Sequence, residues 1–187
     1  QQPVYYPFAN IIRENARRLV NSQLRLLRGR YMIDFNDFEQ KIIENNVKLF
    51  ILCSPHNPVG RVWTHAELTQ LADICLRHNV LVIADEIHEE FIRPGFRHTP
   101  FATLSPAVAD ITITCTSPSK TFNLAGLQIS NIFIRDKDLR RRFKEELSRT
   151  GYDEPNTLGL AGAKAAYEHG AEWLTQLLAY IEENHTR

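Results

Sequence analysis

Residues 80–90 read VLVIADEIHEE. Five apolar residues, Val80–Ala84, follow one another without a polar interruption and stop at a carboxylate, Asp85. A strand with one wet face alternates apolar and polar residues, whereas an unbroken apolar run rich in Val, Ile and Leu predicts a strand buried in a parallel sheet. Leu49–Cys53 has the same character, Ile111–Cys115 follows it with Ile/Thr alternation, and Gln128–Ile134 predicts a fourth strand. Helical patterns lie between and around these runs. Thr64-His-Ala-Glu67 is a capping box ahead of Leu68, Leu71, Ala72 and Cys75 at helical spacing. Asn36 is expected to cap a helix running through Ile42 and Ile43, and Asn10–Ser22, Asp136–Arg149, Thr157–His169 and Ala171–Asn184 predict further helices. Strands alternating with helices define an α/β protein: a mostly parallel sheet with helices on both faces, in three αβα layers.

Lys plus Arg and Asp plus Glu balance at 22 each, which leaves no electrostatic footprint for nucleic acid. The basic stretches Arg25–Arg30 and Arg140–Lys144 are expected to be solvated helix faces. With no long apolar run and no signal-peptide pattern, the chain reads as a soluble, cytoplasmic protein with no membrane partner. Cys53, Cys75 and Cys115 are odd in number and widely spaced, so buried free thiols are expected. The 187 residues fit one domain.

Ligands of open α/β sheets sit beyond the carboxyl ends of the strands. Leu49–Cys53 is followed by SPHNPVG, with His56 and Asn57; Val80–Ala84 by Asp85 and His88; Ile111–Cys115 by TSPSK, with Ser117, Ser119 and Lys120. Singly, each has an ordinary explanation: Asn57-Pro58 as a turn, Asp85 as a helix cap, Lys120 as a solvated surface group. Together they bring an amide, a carboxylate, hydroxyls and an amine to one rim. A metal site from Asp85, Glu86, His88, Glu89 and Glu90 is the weaker alternative, because no histidine pair has ligand spacing and successive residues point apart.

CSPHNPVGRVW, IADEIHEEF and SPSKTFNLAGLQ resemble the pyridoxal-phosphate-dependent aminotransferases of fold type I, and most of all their cystathionine β-lyase, or C–S lyase, branch. The resemblance implies pyridoxal 5'-phosphate as cofactor, an amino acid as small-molecule substrate and a homodimeric parent. It implies that Lys120 joins the cofactor aldehyde and moves the substrate Cα proton. Asp85 would pair with the ring nitrogen, Asn57 with the phenolic oxygen, and Ser117 and Ser119 with the phosphate, at a turn entering a helix. Tyr5 would stack on the ring. Where the family usually has Tyr, three residues after the acid, stands His88; where it often has Arg, eight residues past the lysine, stands Gln128. Both departures lean toward β-elimination of cystathionine or cysteine to pyruvate, ammonia and a thiol. An aminotransferase is the alternative, and a non-catalytic binding role a third. Residues 1–187 would form the central part of the cofactor-binding large domain. The family's N-terminal segment and C-terminal small domain would lie outside them, leaving this chain alone without useful lyase activity.

Overall fold

A computed structural model of the protein describes residues 1–152 and 154–186. The chain order is α1 (Pro7–Glu14), β1 (Arg25–Leu27), β2 (Arg30–Met32), α2 (Phe35–Asn45), β3 (Leu49–Cys53), α3 (His65–Arg77) and β4 (Leu81–Asp85). It continues with α4 (Pro106–Asp110), β5 (Thr112–Thr116), α5 (Pro118–Thr121), β6 (Asn131–Ile134), α6 (Lys137–Arg149), α7 (Thr157–His169) and α8 (Ala171–Thr186). Four strands form the main sheet in the order β3-β4-β5-β6; the first three are parallel and β6 runs antiparallel beside β5. This is the expected α/β architecture with a mostly parallel sheet.

Sequential strands lie side by side, as crossover connections favour. α3 links β3 to β4, and a longer connection containing α4 links β4 to β5. One sheet face buries Phe50, Leu52, Val82 and Ala84 against Phe38, Ile42, Leu68, Leu71, Ile74 and Val108 from α2, α3 and α4. Truncating a buried leucine such as Leu71 to alanine typically costs about 2–5 kcal/mol. The capping box of α3 forms as read: the Thr64 hydroxyl accepts from Glu67 N–H at 3.2 Å, and the Glu67 carboxylate accepts from Thr64 N–H at 2.8 Å.

Several boundaries differ from the sequence reading. α1 ends at Glu14 rather than continuing to Ser22. Asn15 closes it by donating its amide to Ile11 O, and Ala16 turns to φ 53°. Residues 21–24 then run beside the first residues of the chain, with Leu24 N–H on Gln2 O at 2.8 Å. That pairing requires extended backbone, and it overrides the helical spacing. Arg25–Arg30 is a β-hairpin, not a helix face. Arg28 and Gly29 form its two-residue turn with φ 50° and 76°, the left-handed conformations that tight hairpins use. The charges are put to structural use: Arg25 pairs with Asp34, and Asp34, not Asn36, caps α2 through Asp37 N–H. The second basic stretch does lie on a solvated helix, where Arg141 pairs with Glu145 at 2.7 Å. β6 begins only at Asn131, because Gln128 adopts φ 51° and turns the chain before pairing starts.

Among the described residues, no helix is long and apolar enough to cross a membrane. All three cysteines are free thiols; Cys53 and Cys75 are buried and Cys115 is partly buried.

Candidate active site

The strand register places Cys53, Asp85 and Cys115 in one row at the carboxyl ends of three adjacent strands. Beyond that row opens a cavity of about 310 Å³. Tyr5, Asn57, Asp85, His88, Ser119 and Lys120, all singled out from the sequence, line it together. Asp85 ends β4, and Asn57, His88, Ser119 and Lys120 come from the chain after β3, β4 and β5, so strand order brings these five together, while Tyr5 is contributed by the N-terminal segment.

Asp85 is partly buried, and its one side-chain hydrogen bond among the described residues is from Ile87 N–H at 3.2 Å. Burial raises its pKa above the usual carboxylate range, with the neighbouring Glu86 adding to the effect and His88 and Lys120 opposing it. A carboxylate in this state gains from a cationic or N–H-bearing partner. His88 is shifted downward, first by burial and also by the Lys120 charge, while Asp85 pulls it upward. The amine of Lys120 makes no hydrogen bond or ion pair among the described residues. A primary amine left free beside a carboxylate in need of a partner is a donor set suited to an aldehyde-bearing, protonated heterocycle.

Ser117 differs from the expectation. It is buried, donates its hydroxyl to Ile129 O at 2.7 Å, and accepts from Ser119 N–H at 3.0 Å. It caps α5 instead of lining the cavity. α5 itself is one turn of four residues, too short for the helix-end phosphate cradle read from the sequence. Ser119, by contrast, does line the cavity, as do Ser130 and the exposed Gln128.

The sequence reading missed the wall groups Cys53, Ile87, Ala125, Ile129 and Ser130, and the means by which the Asn57 loop is held. Ile87 lies in a turn, where alternation no longer tells which way a side chain points. Cys53 Sγ accepts from Asn57 N–H at 3.4 Å, and burial together with the Asp85 charge pushes its thiol up to about 11. Residues 54–63 fold back so that His56 and Arg61 form a β-bridge. The Arg61 guanidinium sits 4.5 Å from the Trp63 ring centroid, grips the Glu67 carboxylate through two bonds of 2.7 and 2.8 Å, and donates to Tyr31 O. Trp63 Nε1 donates to Cys53 O at 3.0 Å. Gly60 serves the same turn at φ 67°.

The five-residue metal alternative does not assemble, because Asp85 and His88 line the cavity while Glu86 is fully buried elsewhere. Glu86 accepts from Phe101 N–H at 2.8 Å and lies 3.1 Å from His98 Nε2. His98 replaces the cavity residues in a different grouping, with ligand-type atoms of Glu86, Glu89 and His98 within 4.8 Å of one another.

A mixed α/β sheet with an amine, a carboxylate and an amide around a cavity at its carboxyl edge defines an α/β protein of the ligand-binding open-sheet class. Residues 1–187 match the sequence model for aminotransferase class I and II, and the chain belongs to that family. It is 46% identical over 184 residues to the cystathionine beta-lyase PatB of Bacillus subtilis, covering 98% of this chain and 48% of that protein. Among solved structures it is similar to cystalysin from Treponema denticola, which contains a pyridoxal 5'-phosphate cofactor. There the TM-score is 0.95 at 40% identity, over 98% of this chain and 46% of that one. The PLP-bound C-S lyase from Staphylococcus hominis gives a TM-score of 0.90 at 39% identity, over 98% and 46% of the two chains. The chain spans about half the length of the relatives it matches.

Proposed function

We propose that this chain forms the cofactor-binding core of a pyridoxal-phosphate-dependent C–S β-lyase, acting on cystathionine, cysteine or related S-substituted amino acids. The observation that carries it is Lys120, a lysine whose amine has no partner among the described residues in a cavity it shares with Asp85. The names of the similar proteins support the lyase reading. When bound, pyridoxal 5'-phosphate supplies an aldehyde for amines and a protonated ring that accepts electron density from the substrate Cα.

The chain's own groups have separable tasks. Lys120 would hold the cofactor through its amine, and the same amine is the chain's base for the substrate Cα proton. Asp85 would accept from the ring N–H, which would offset the penalty for burying its charge. Asn57 would donate its amide to the phenolic oxygen, with His88 beside it in the cavity wall. Tyr5 and Ile87 supply apolar wall area for the ring. Ser119, Ser130 and the Gln128 amide would hold the phosphate, in place of a guanidinium. A thiolate leaves readily from Cβ because its conjugate thiol has a pKa of about 8.5.

The second reading, an aminotransferase, rests on the family the chain belongs to. It uses the same residues and differs in where the proton taken by Lys120 is returned. As part of the proposal, residues 1–187 are the central portion of a large domain in a cytoplasmic homodimer.

The test is to load the full-length protein with pyridoxal 5'-phosphate, reduce with borohydride, and map the labelled residue by mass spectrometry. Label on Lys120, lost in Lys120→Ala, is expected; label elsewhere overturns the site. Pyruvate release from cystathionine without an added keto acid supports the lyase, and strict keto-acid dependence supports the transferase. Asp85→Ala is expected to retain the label but lose most turnover.

A further inference from the structure

His56 takes no part in the scheme above, yet it is 3% exposed and lies beside Asn57 in the loop after β3. Its Nε2 is 2.9 Å from the carbonyl oxygen of Pro3, 53 residues away in sequence. A carbonyl can only accept, so Nε2 carries the hydrogen. The ring stands nearly perpendicular to Trp63, with centroids 5.4 Å apart. Its backbone is fixed on both sides, N–H to Arg61 O at 2.8 Å and C=O from Gly60 N–H at 2.9 Å. Pro3, for its part, is two residues ahead of Tyr5, and the segment is held elsewhere by Gln2, through Leu24 N–H and Asn21 Oδ1.

We propose that His56 is a positioning residue: by donating Nε2–H to Pro3 O it joins the segment carrying Tyr5 to the loop carrying Asn57. Two walls of the cavity then keep one spacing. Tyr5 is 44% exposed, and the aromatic rings paired with it among the described residues, Tyr6 and Phe8, are its own chain neighbours, 5.7 Å away and tilted or edge-on. Burial lowers the imidazole pKa to about 4, with the Pro3 carbonyl opposing, so the ring stays neutral and the tie is constant around neutral pH.

The consequence for cofactor binding rests on the function proposed above, so the experiment has a readout that does not. In the cofactor-free full-length protein, His56→Leu is expected to speed amide exchange over residues 2–8 about fivefold, the scale of one net hydrogen bond. His56→Gln keeps an amide N–H that can reach Pro3 O and is expected to restore protection. With pyridoxal 5'-phosphate as probe, His56→Leu is expected to weaken binding about fivefold and reduce the visible circular dichroism of the bound ring. His56→Gln should recover both signals. Unchanged exchange in His56→Leu overturns the tie. Faster exchange with unchanged affinity and dichroism overturns its effect on the site. A folded His56→Gln that behaves like His56→Leu overturns the role of the hydrogen bond. If the wild-type protein fails to take up the cofactor, the proposed function falls, while exchange over residues 2–8 still decides the tie.

Discussion

Replacing Arg61 by methionine isolates what holds the Asn57 loop in place. The guanidinium is 8% exposed and its partner carboxylate, Glu67, is 14% exposed, so neither end of the pair is well screened by water. Methionine keeps an unbranched apolar stem but removes the guanidinium that lies over Trp63, both bonds to Glu67 and the bond to Tyr31 O. Removing one partner of a buried pair costs about 3–5 kcal/mol, because the other charge stays behind. The lower end applies here, about 3 kcal/mol, since Glu67 keeps the Thr64 N–H at 2.8 Å and hydroxyl at 2.9 Å. That is a large share of the roughly 5–15 kcal/mol of a typical domain. Urea unfolding at pH 7 should show a lower midpoint with an unchanged slope. Arg61→Met/Glu67→Gln should lose less than the sum of the single variants, by about 1 kcal/mol or more. Burial alone would raise the Glu67 pKa, but the Thr64 N–H and the Arg61 guanidinium hold it below the usual value. A depressed carboxylate contributes stability above its unfolded pKa and loses it as pH falls through the folded one. The wild-type protein should therefore lose its advantage over Arg61→Met on acidification below about pH 4. A loss under about 1 kcal/mol, or additive single effects, would mean that the pair behaves as a surface pair and that the loop is held otherwise.

Other perturbations address separate parts of the molecule. Gly170→Ala would place a Cβ 2.3 Å from Phe122 Cε1 and 2.4 Å from Ala166 O, so about 1–3 kcal/mol of overpacking is expected in thermal or urea melts. An unchanged melt would show that both Phe122, two residues past Lys120, and the Ala166 carbonyl give way freely. Burial pushes the Cys75 thiol up to about 12. The unfolded chain then releases that proton near pH 9 while the fold retains it, so stability should fall with rising pH above about 9. Cys75→Ala should reduce this alkaline slope, to which the raised thiols of Cys53 and Cys115 also contribute, and an equal slope in both proteins would refute the assignment. Thr64→Ala removes the cap of α3 and should cost about 1 kcal/mol; a neutral result would mean that solvent replaces the cap.

Much of the site was legible because its parts are local. The run Val80–Ala84 ending at Asp85, the turn residues around Asn57, and Lys120 after a strand are each decided within a few residues. The parallel order of the strands then brings their ends to one edge. The capping box Thr64–Glu67 was equally self-contained, since both partners lie within one helical turn. Where a distant segment competes for the backbone, local pattern failed. Ala16–Ser22 has helical spacing, yet pairing of Leu24 with Gln2 demands an extended chain, and Arg25–Arg30 became a hairpin ionically tied to the cap of α2. Hydroxyl chemistry alone does not tell Ser117 from Ser119; the carbonyl of Ile129, brought over by the turn before β6, claimed the first and left the second at the cavity. Arg61 reads as an ordinary surface cation until Trp63, Glu67 and Tyr31 close around it. Residue type and short-range spacing carry the propensities and the chemical inventory, but hydrogen-bond partners and burial depend on which remote segments meet, and only the folded chain sets that.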